Sequence, residues 1–255
     1  MEGSMRPAGR STVGVAPLVL AGRTTVRILV TAAALWGVAF FLWGQSGLDK
    51  WLLISHEALR SNGPVVALAQ LATGYGMSMI ILLYLLYLPL SLRHDHPRET
   101  YPVYLLVLLL FGIAAVSGDL LKEVLNRPRP FVRYASEIHA FSNAVTPAFP
   151  SGHATKSTAL ALPFLFLIAA KDTWQKGAKV LVAIILAGVC YSRVLLGAHY
   201  VSDVLAGVGM ALTCLPLAVL LGNRVLRQMT GGRLDSAIRV WAAVLAGLMV
   251  YLALL

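Results

Sequence analysis

Apolar runs long enough to cross a lipid bilayer recur along this chain, and they limit its fold more than any other feature. A spanning helix needs about 20 mostly apolar residues, because the hydrocarbon core is ~30 Å thick and a helix rises ~1.5 Å per residue. Lipid offers the backbone no hydrogen-bond partners, so such runs must be helices. The stretches Ile28–Trp43, Pro102–Leu121, Ser151–Ala170, Ala178–Ser192 and His199–Gly222 meet or approach that length. Val65–Leu92 exceeds one crossing, which is expected nearer Gly74–Leu92, with the first part packed at the interface. A slightly short seventh run occupies 240–255. The expected fold class is all-α, a polytopic transmembrane helix bundle of six core spans with an extra C-terminal one. With 58% hydrophobic and 13% charged residues, the composition lies outside the range of soluble domains.

The charge supports the same reading. A formal net charge of +10 in a soluble protein would raise nucleic acid as a partner. Here the basic residues gather in loops, and the loop set that holds Arg23, Arg27, Arg93, Arg98, Lys171, Lys176, Lys179, Arg224 and Arg227 is the richer one. That set is expected on the cytoplasmic side. Residues 1–23 read as a loosely ordered cytoplasmic tail, 93–99 as a polar loop, and 223–239 as a cytoplasmic loop before the seventh span. No small-residue cleavage site follows Ile28–Trp43, so this is expected to be an uncleaved first span. Segment 48–63 has apolar residues at helical spacing and is expected to lie in the interface. Cys190 and Cys214 fall in apolar runs and read as small hydrophobes with no disulfide framework. Trp and Tyr near span ends read as interfacial anchors.

Three polar clusters at span ends share the opposite side: "KEVLNRPRP" from Lys122, "PSGH" from Pro150, and "SRVLLGAHYVSD" from Ser192. Ionisable groups at membrane depth are costly, so they read as a functional site facing the bundle interior. Lys122, Arg129 and Arg193 bring three cations with no matching carboxylates in the same motifs, which suits an anion of more than one charge. Arginine supplies a flat fork matched to phosphate oxygens, and lysine a point charge. Ser151 and Gly152 start a helix whose first amides and dipole favour the same anion. His199 and Asp203 are spaced i, i+4 and share a helix face. The carboxylate fixes the histidine tautomer and leaves the other ring nitrogen free to attack. His153 is then available as a proton donor. No metal site is expected, since the carboxylates are too few for magnesium and no HExxH is present.

These residues resemble the type-2 phosphatidic acid phosphatase superfamily, whose pattern is KxxxxxxRP, PSGH and SRxxxxxHxxxD. The chain holds all three parts in order: Lys122 to Arg129-Pro130, Pro150 to His153, and Ser192-Arg193 to His199 and Asp203. The resemblance covers 122–203, and it makes 24–222 a six-span phosphatase domain; a seventh span departs from the usual six. It implies two-step phosphoryl transfer without metal or other cofactor. His199 would be the nucleophile, Asp203 its orienting partner and His153 the acid. Lys122, Arg129, Ser151, Gly152 and Arg193 would hold the phosphate. Implied substrates are membrane phospholipids or polyprenyl phosphates: undecaprenyl diphosphate, phosphatidylglycerol phosphate, phosphatidic acid or lipid A 1-phosphate. No nucleic acid and no obligate protein partner are implied. The expected location is a bacterial inner membrane, with the site facing the periplasm or outside.

Outside the pattern, Lys156 lies three positions after His153 and is expected either to snorkel to the interface or to contact a second phosphate. Arg127 and Arg133 read equally as surface or lipid-headgroup charges and as catalytic ones. Asp119 and Glu123 read as pairing or entrance residues, and His56, His94, His96 and His139 as solvated loop residues. The same site could serve a lipid phosphotransferase. A transporter would show paired, interrupted helices in two halves, and a haloperoxidase with the same motif would be soluble.

Overall fold

A computed structural model describes residues 17–228 apart from 21, 95, 96, 143, 169 and 171, together with a few positions between 240 and 251. The described residues are helical throughout, with no strand. In chain order the helices are α1 (Gly22–Gly44), α2 (Ser46–Ile54), α3 (Glu57–Arg60), α4 (Gly63–His94), α5 (Pro97–Leu125), α6 (Pro130–Arg133), α7 (Gly152–Phe166), α8 (Thr173–Leu195) and α9 (Val201–Gln228). Five of them, α1, α4, α5, α8 and α9, are long and apolar enough to cross a membrane.

Local chemistry sets the ends that matter for the site. α5 stops where Asn126 takes a left-handed φ of 40° and its amide donates back to Lys122 O at 2.8 Å. Asparagine tolerates that conformation better than other side chains with a Cβ. α7 begins at Ser151, whose hydroxyl accepts from the Ala154 amide. α8 begins with a capping box between Asp172 and Gln175.

The helices form one bundle around α7. On one side α7 packs with α5 and α9 through Ala159, Leu106, Leu110, Ala211 and Leu215, and α1 covers the outer side of α9. On the other it packs with α4, α5 and α8 through Leu160, Phe164, Ile81, Tyr84 and Val182. Small residues permit the closest approaches. A Cβ on Gly207 of α9 would stand 2.7 Å from Ser151 O and 2.9 Å from Ala154 Cβ. That contact holds α9 against the start of α7, where the Ser151 amide donates to Asp203 O at 2.9 Å.

Several expectations change. The fourth span, expected over 151–170, is α7, a helix of only 15 residues that is buried along most of its length. It is apolar because protein surrounds it on all sides, so it needs no lipid face. Val65–Leu92 lies within one continuous helix, whose first part packs Val66 and Ala69 on Leu195 and Leu196. Segment 48–63 forms α2 and α3, and it turns Asp49, Leu53 and Arg60 inward. The expected loop 93–99 is largely taken up by the ends of α4 and α5, with 95 and 96 outside the described residues. Leu18, expected in a loose tail, is buried, and Asn223 holds its amide and carbonyl at 2.8 and 3.0 Å. Tyr104 is no interfacial anchor; it is buried and its hydroxyl donates to Tyr84 O at 2.6 Å. Cys214 is buried, Cys190 half-buried, and both are free. The seventh span and most of the loop before it lie outside the described residues.

Candidate active site

The three polar clusters converge at one end of the bundle on a cavity of about 590 Å³. Lys122, Arg129, Gly152, His153, Lys156, Arg193 and His199 line it. Ser151 and Asp203 lie directly beneath, both fully buried. Every site residue expected from the sequence is therefore at or against this cavity.

Backbone turns aim the groups inward. α8 ends just past Arg193, and Gly197 adopts a φ of +68°, the left-handed conformation that glycine reaches without a Cβ penalty. The chain doubles back so that the amides of Ala198 and His199 both donate to Arg193 O at 3.1 Å. Arg193 and His199 are thereby locked side by side. The turn after α5 does the same for Arg129.

Two hydrogen bonds fix the tautomer of His199. Arg129 NH1 stands 3.2 Å from Nε2, and guanidinium can only donate. Nε2 is therefore the bare nitrogen, and Nδ1 carries the proton that it gives to Asp203 Oδ2 at 3.3 Å. His199 lies in the turn between α8 and α9. Its burial, followed by the charges of Arg193, Arg129 and Lys122, holds its pKa well below the usual histidine value. It is neutral near pH 7, with its lone pair toward the cavity.

Hydroxyl and carbonyl oxygens hold the two arginines. Arg129 donates Nε to Thr146 O at 2.6 Å and NH2 to Thr146 Oγ1 at 2.9 Å. Arg193 NH1 donates to Thr73 Oγ1 of α4 at 2.7 Å, while its buried Nε has no partner. Neither arginine has a carboxylate partner among the described residues. Lys122 stands over Gly152: a Cβ there would be 2.9 Å from Nζ. Asp119 pairs with Lys122 at 3.2 Å and approaches Lys156 at 3.8 Å, at the cavity's edge. This agrees with a pairing or entrance role for Asp119, and Glu123 lines the same cavity. The His153 ring faces the cavity with no hydrogen bond among the described residues. A ring of fixed N–H donors with unspent charge is suited to an oxyanion with several oxygens.

Some side chains stand elsewhere than expected. Arg127 is no surface charge: it is buried, and NH1 donates to Asp203 Oδ1 at 2.5 Å and NH2 to Asp49 Oδ2 at 2.9 Å. Arg133 is exposed, beside the Tyr134 ring. His56 is half-buried rather than solvated, and its Nδ1–H donates to Leu52 O at 2.8 Å. His139 is exposed and meets Glu57 at 3.2 Å. The side chain of His94, and His96, lie outside the described residues. Thr73, Thr146, Asp49 and Ser202 support the site and carry no signal in the sequence. None of them belongs to the three-part pattern that marks the other site residues.

With this geometry in place, comparison points to the class: residues 102–227 match the model of the PAP2 superfamily, and this part of the chain is similar to its members. Phosphatidylglycerophosphatase B of Bacillus subtilis is 35% identical over 113 residues, which are 42% of this chain and 52% of that protein. The match thus spans about half the length of that relative. A crystal structure of a transmembrane PAP2-type phosphatidylglycerolphosphate phosphatase from the same organism superimposes with a TM-score of 0.58. It is 21% identical, and the superposition covers 80% of this chain and 98% of that one, so the likeness is one of fold. The apolar helices and this fold make the chain a multi-pass integral membrane protein.

Proposed function

We propose that the protein is a membrane lipid phosphatase that removes phosphate from a lipid phosphate or diphosphate through a phosphohistidine at His199, without metal. The observation that supports the reading is the Arg129–His199–Asp203 line, which presents a bare, neutral Nε2 among cations of which Arg129 and Arg193 have no carboxylate partner among the described residues. In the first step Nε2 attacks phosphorus, the bond from phosphorus to the lipid oxygen breaks, and His153 gives that oxygen a proton. In the second step water attacks the phosphohistidine, gives its proton to His153, and frees phosphate and His199. Lys122, Arg129, Arg193 and the backbone at Ser151 and Gly152 hold the non-bridging oxygens. Loss of one such donor costs on the order of 3 kcal/mol of transition-state stabilisation. Phosphatidylglycerol phosphate, in the names of both relatives, heads the substrate candidates. The site faces the periplasm or outside of a bacterial inner membrane, following the loop-charge bias.

The test is phosphate release by purified protein in detergent with EDTA present. The wild type should turn over a lipid phosphate, and His199→Ala should lose several orders of magnitude in rate while remaining folded. Near-normal turnover by folded His199→Ala rejects the mechanism.

A further inference from the structure

Asp203 has two carboxylate oxygens, and only one serves His199. Oδ2 accepts from His199 Nδ1 at 3.3 Å and from the Tyr200 amide at 2.9 Å. Oδ1 is taken by Arg127 NH1 at 2.5 Å. An arginine bonded this way withdraws negative charge from the carboxylate that the histidine needs. The fold answers with a second carboxylate. Asp49, fully buried on α2, accepts from Arg127 NH2 at 2.9 Å and from the Ser202 amide at 3.2 Å, and also pairs with the Ser202 hydroxyl. The Arg127 guanidinium is boxed in by the rings of Tyr200, 4.0 Å away, and Trp43, 5.1 Å away. Asp49, Arg127 and Asp203 together carry a net charge of −1, the same as Asp203 alone.

We infer that Asp49 is a positioning residue for catalysis: it takes up the charge of Arg127, so that Arg127 orients Asp203 without neutralising it. The inference rests on the reading of His199 as nucleophile and Asp203 as its partner. Around His199 the cavity brings the cations Lys122 from α5, Arg129 from the turn after it and Arg193 from α8, with His153 from α7; the carboxylates Asp119 and Glu123 line the same cavity, where Asp119 is paired with Lys122. Asp203 is the carboxylate bonded to the imidazole, with Arg127 and Asp49 behind it. During attack the imidazole becomes positive, and that charge must be met from Asp203. Substrate phosphate never reaches Asp49, so its loss should act on the chemical step and not on binding.

The experiment compares four proteins by steady-state phosphate release and by thermal unfolding in detergent: wild type, Asp49→Asn, the double variant Asp49→Asn/Arg127→Gln, and His199→Ala. Asp49→Asn keeps the shape and leaves Arg127 uncompensated. Its kcat should fall about tenfold or more, as for outer partners of other catalytic groups, with KM nearly unchanged. The double variant restores the net charge of −1 and should recover kcat to within about tenfold of wild type, above the single variant. A buried anchor with no electrostatic role gives the opposite order, because each change would remove more of the anchor. A folded Asp49→Asn protein with wild-type kcat overturns the inference, and so does a folded double variant no more active than the single. If Asp49→Asn alone does not fold, the double variant decides by its kcat against wild type. Activity surviving in His199→Ala rejects the underlying reading, and the inference with it.

Discussion

At the residue scale, the site divides into groups that line or directly back the cavity and groups that hold them. The first kind was legible. Lys122, Arg129, His153, Arg193, His199 and Asp203 are conspicuous because an apolar chain has no other use for them at span ends. The second kind was not. Thr73 is one hydroxyl in a long apolar helix, yet it accepts from both Ser192 Oγ at 3.0 Å and Arg193 NH1 at 2.7 Å. Thr73→Val should raise KM and lower kcat/KM by about 1–3 kcal/mol, the range of a hydrogen bond to a charged group, as read from phosphate-release kinetics. Thr73→Ser should recover most of the loss. Lys156 tests the substrate. Its ammonium lines the cavity on the side of His153 and is only loosely held by Asp119, at 3.8 Å. If it meets a second phosphate, Lys156→Met should lower kcat/KM for a lipid diphosphate by about 1–3 kcal/mol and spare a lipid monophosphate. Equal losses on both substrates, or none, return Lys156 to the interface.

At the scale of elements, placement depends on two glycines with different jobs. Gly207 permits contact: the 2.7 Å to Ser151 O leaves no room for a methyl group. Gly207→Ala should push α9 from the start of α7 and cost about 1–3 kcal/mol of stability, seen as a lower unfolding temperature. Activity should fall further than stability, because Ser151 and Asp203 lie on the two sides of that contact. Gly197 permits a conformation, since its φ of +68° suits few other residues and Ala140 Cβ lies 3.2 Å from its Cβ position. Apolar periodicity could reveal that helices form, but not which ones face lipid. α7 and α8 look alike in the sequence as apolar runs. Only packing shows that α7 is enclosed while α8 exposes Val180, Leu181 and Ile184. In α2 the pattern could reveal the helix with Leu48 and Trp51 on its exposed side, but not that Asp49 is buried on the other.

At the scale of the whole molecule, the proposed orientation has a direct check. Ser142 belongs to the segment over the cavity, so a Ser142→Cys protein in intact cells should react with a membrane-impermeant thiol reagent. Labelling only after lysis would reverse the orientation. The hydrogen bond from Arg129 to His199 Nε2 has a wider consequence. Under the proposed mechanism, the attacking nitrogen of the idle protein is sheathed by the guanidinium that would later grip the phosphate. The weapon and its scabbard are thus adjacent, and the arriving anion draws one from the other. Diethyl pyrocarbonate, which acylates bare imidazole nitrogens, should modify His199 more slowly than exposed His139, and faster in Arg129→Ala than in wild type. Electrophiles that stray into the cavity without a phosphate meet an inert histidine, so the chain can keep a neutral nucleophile in an open cleft and still be discriminating about what it attacks.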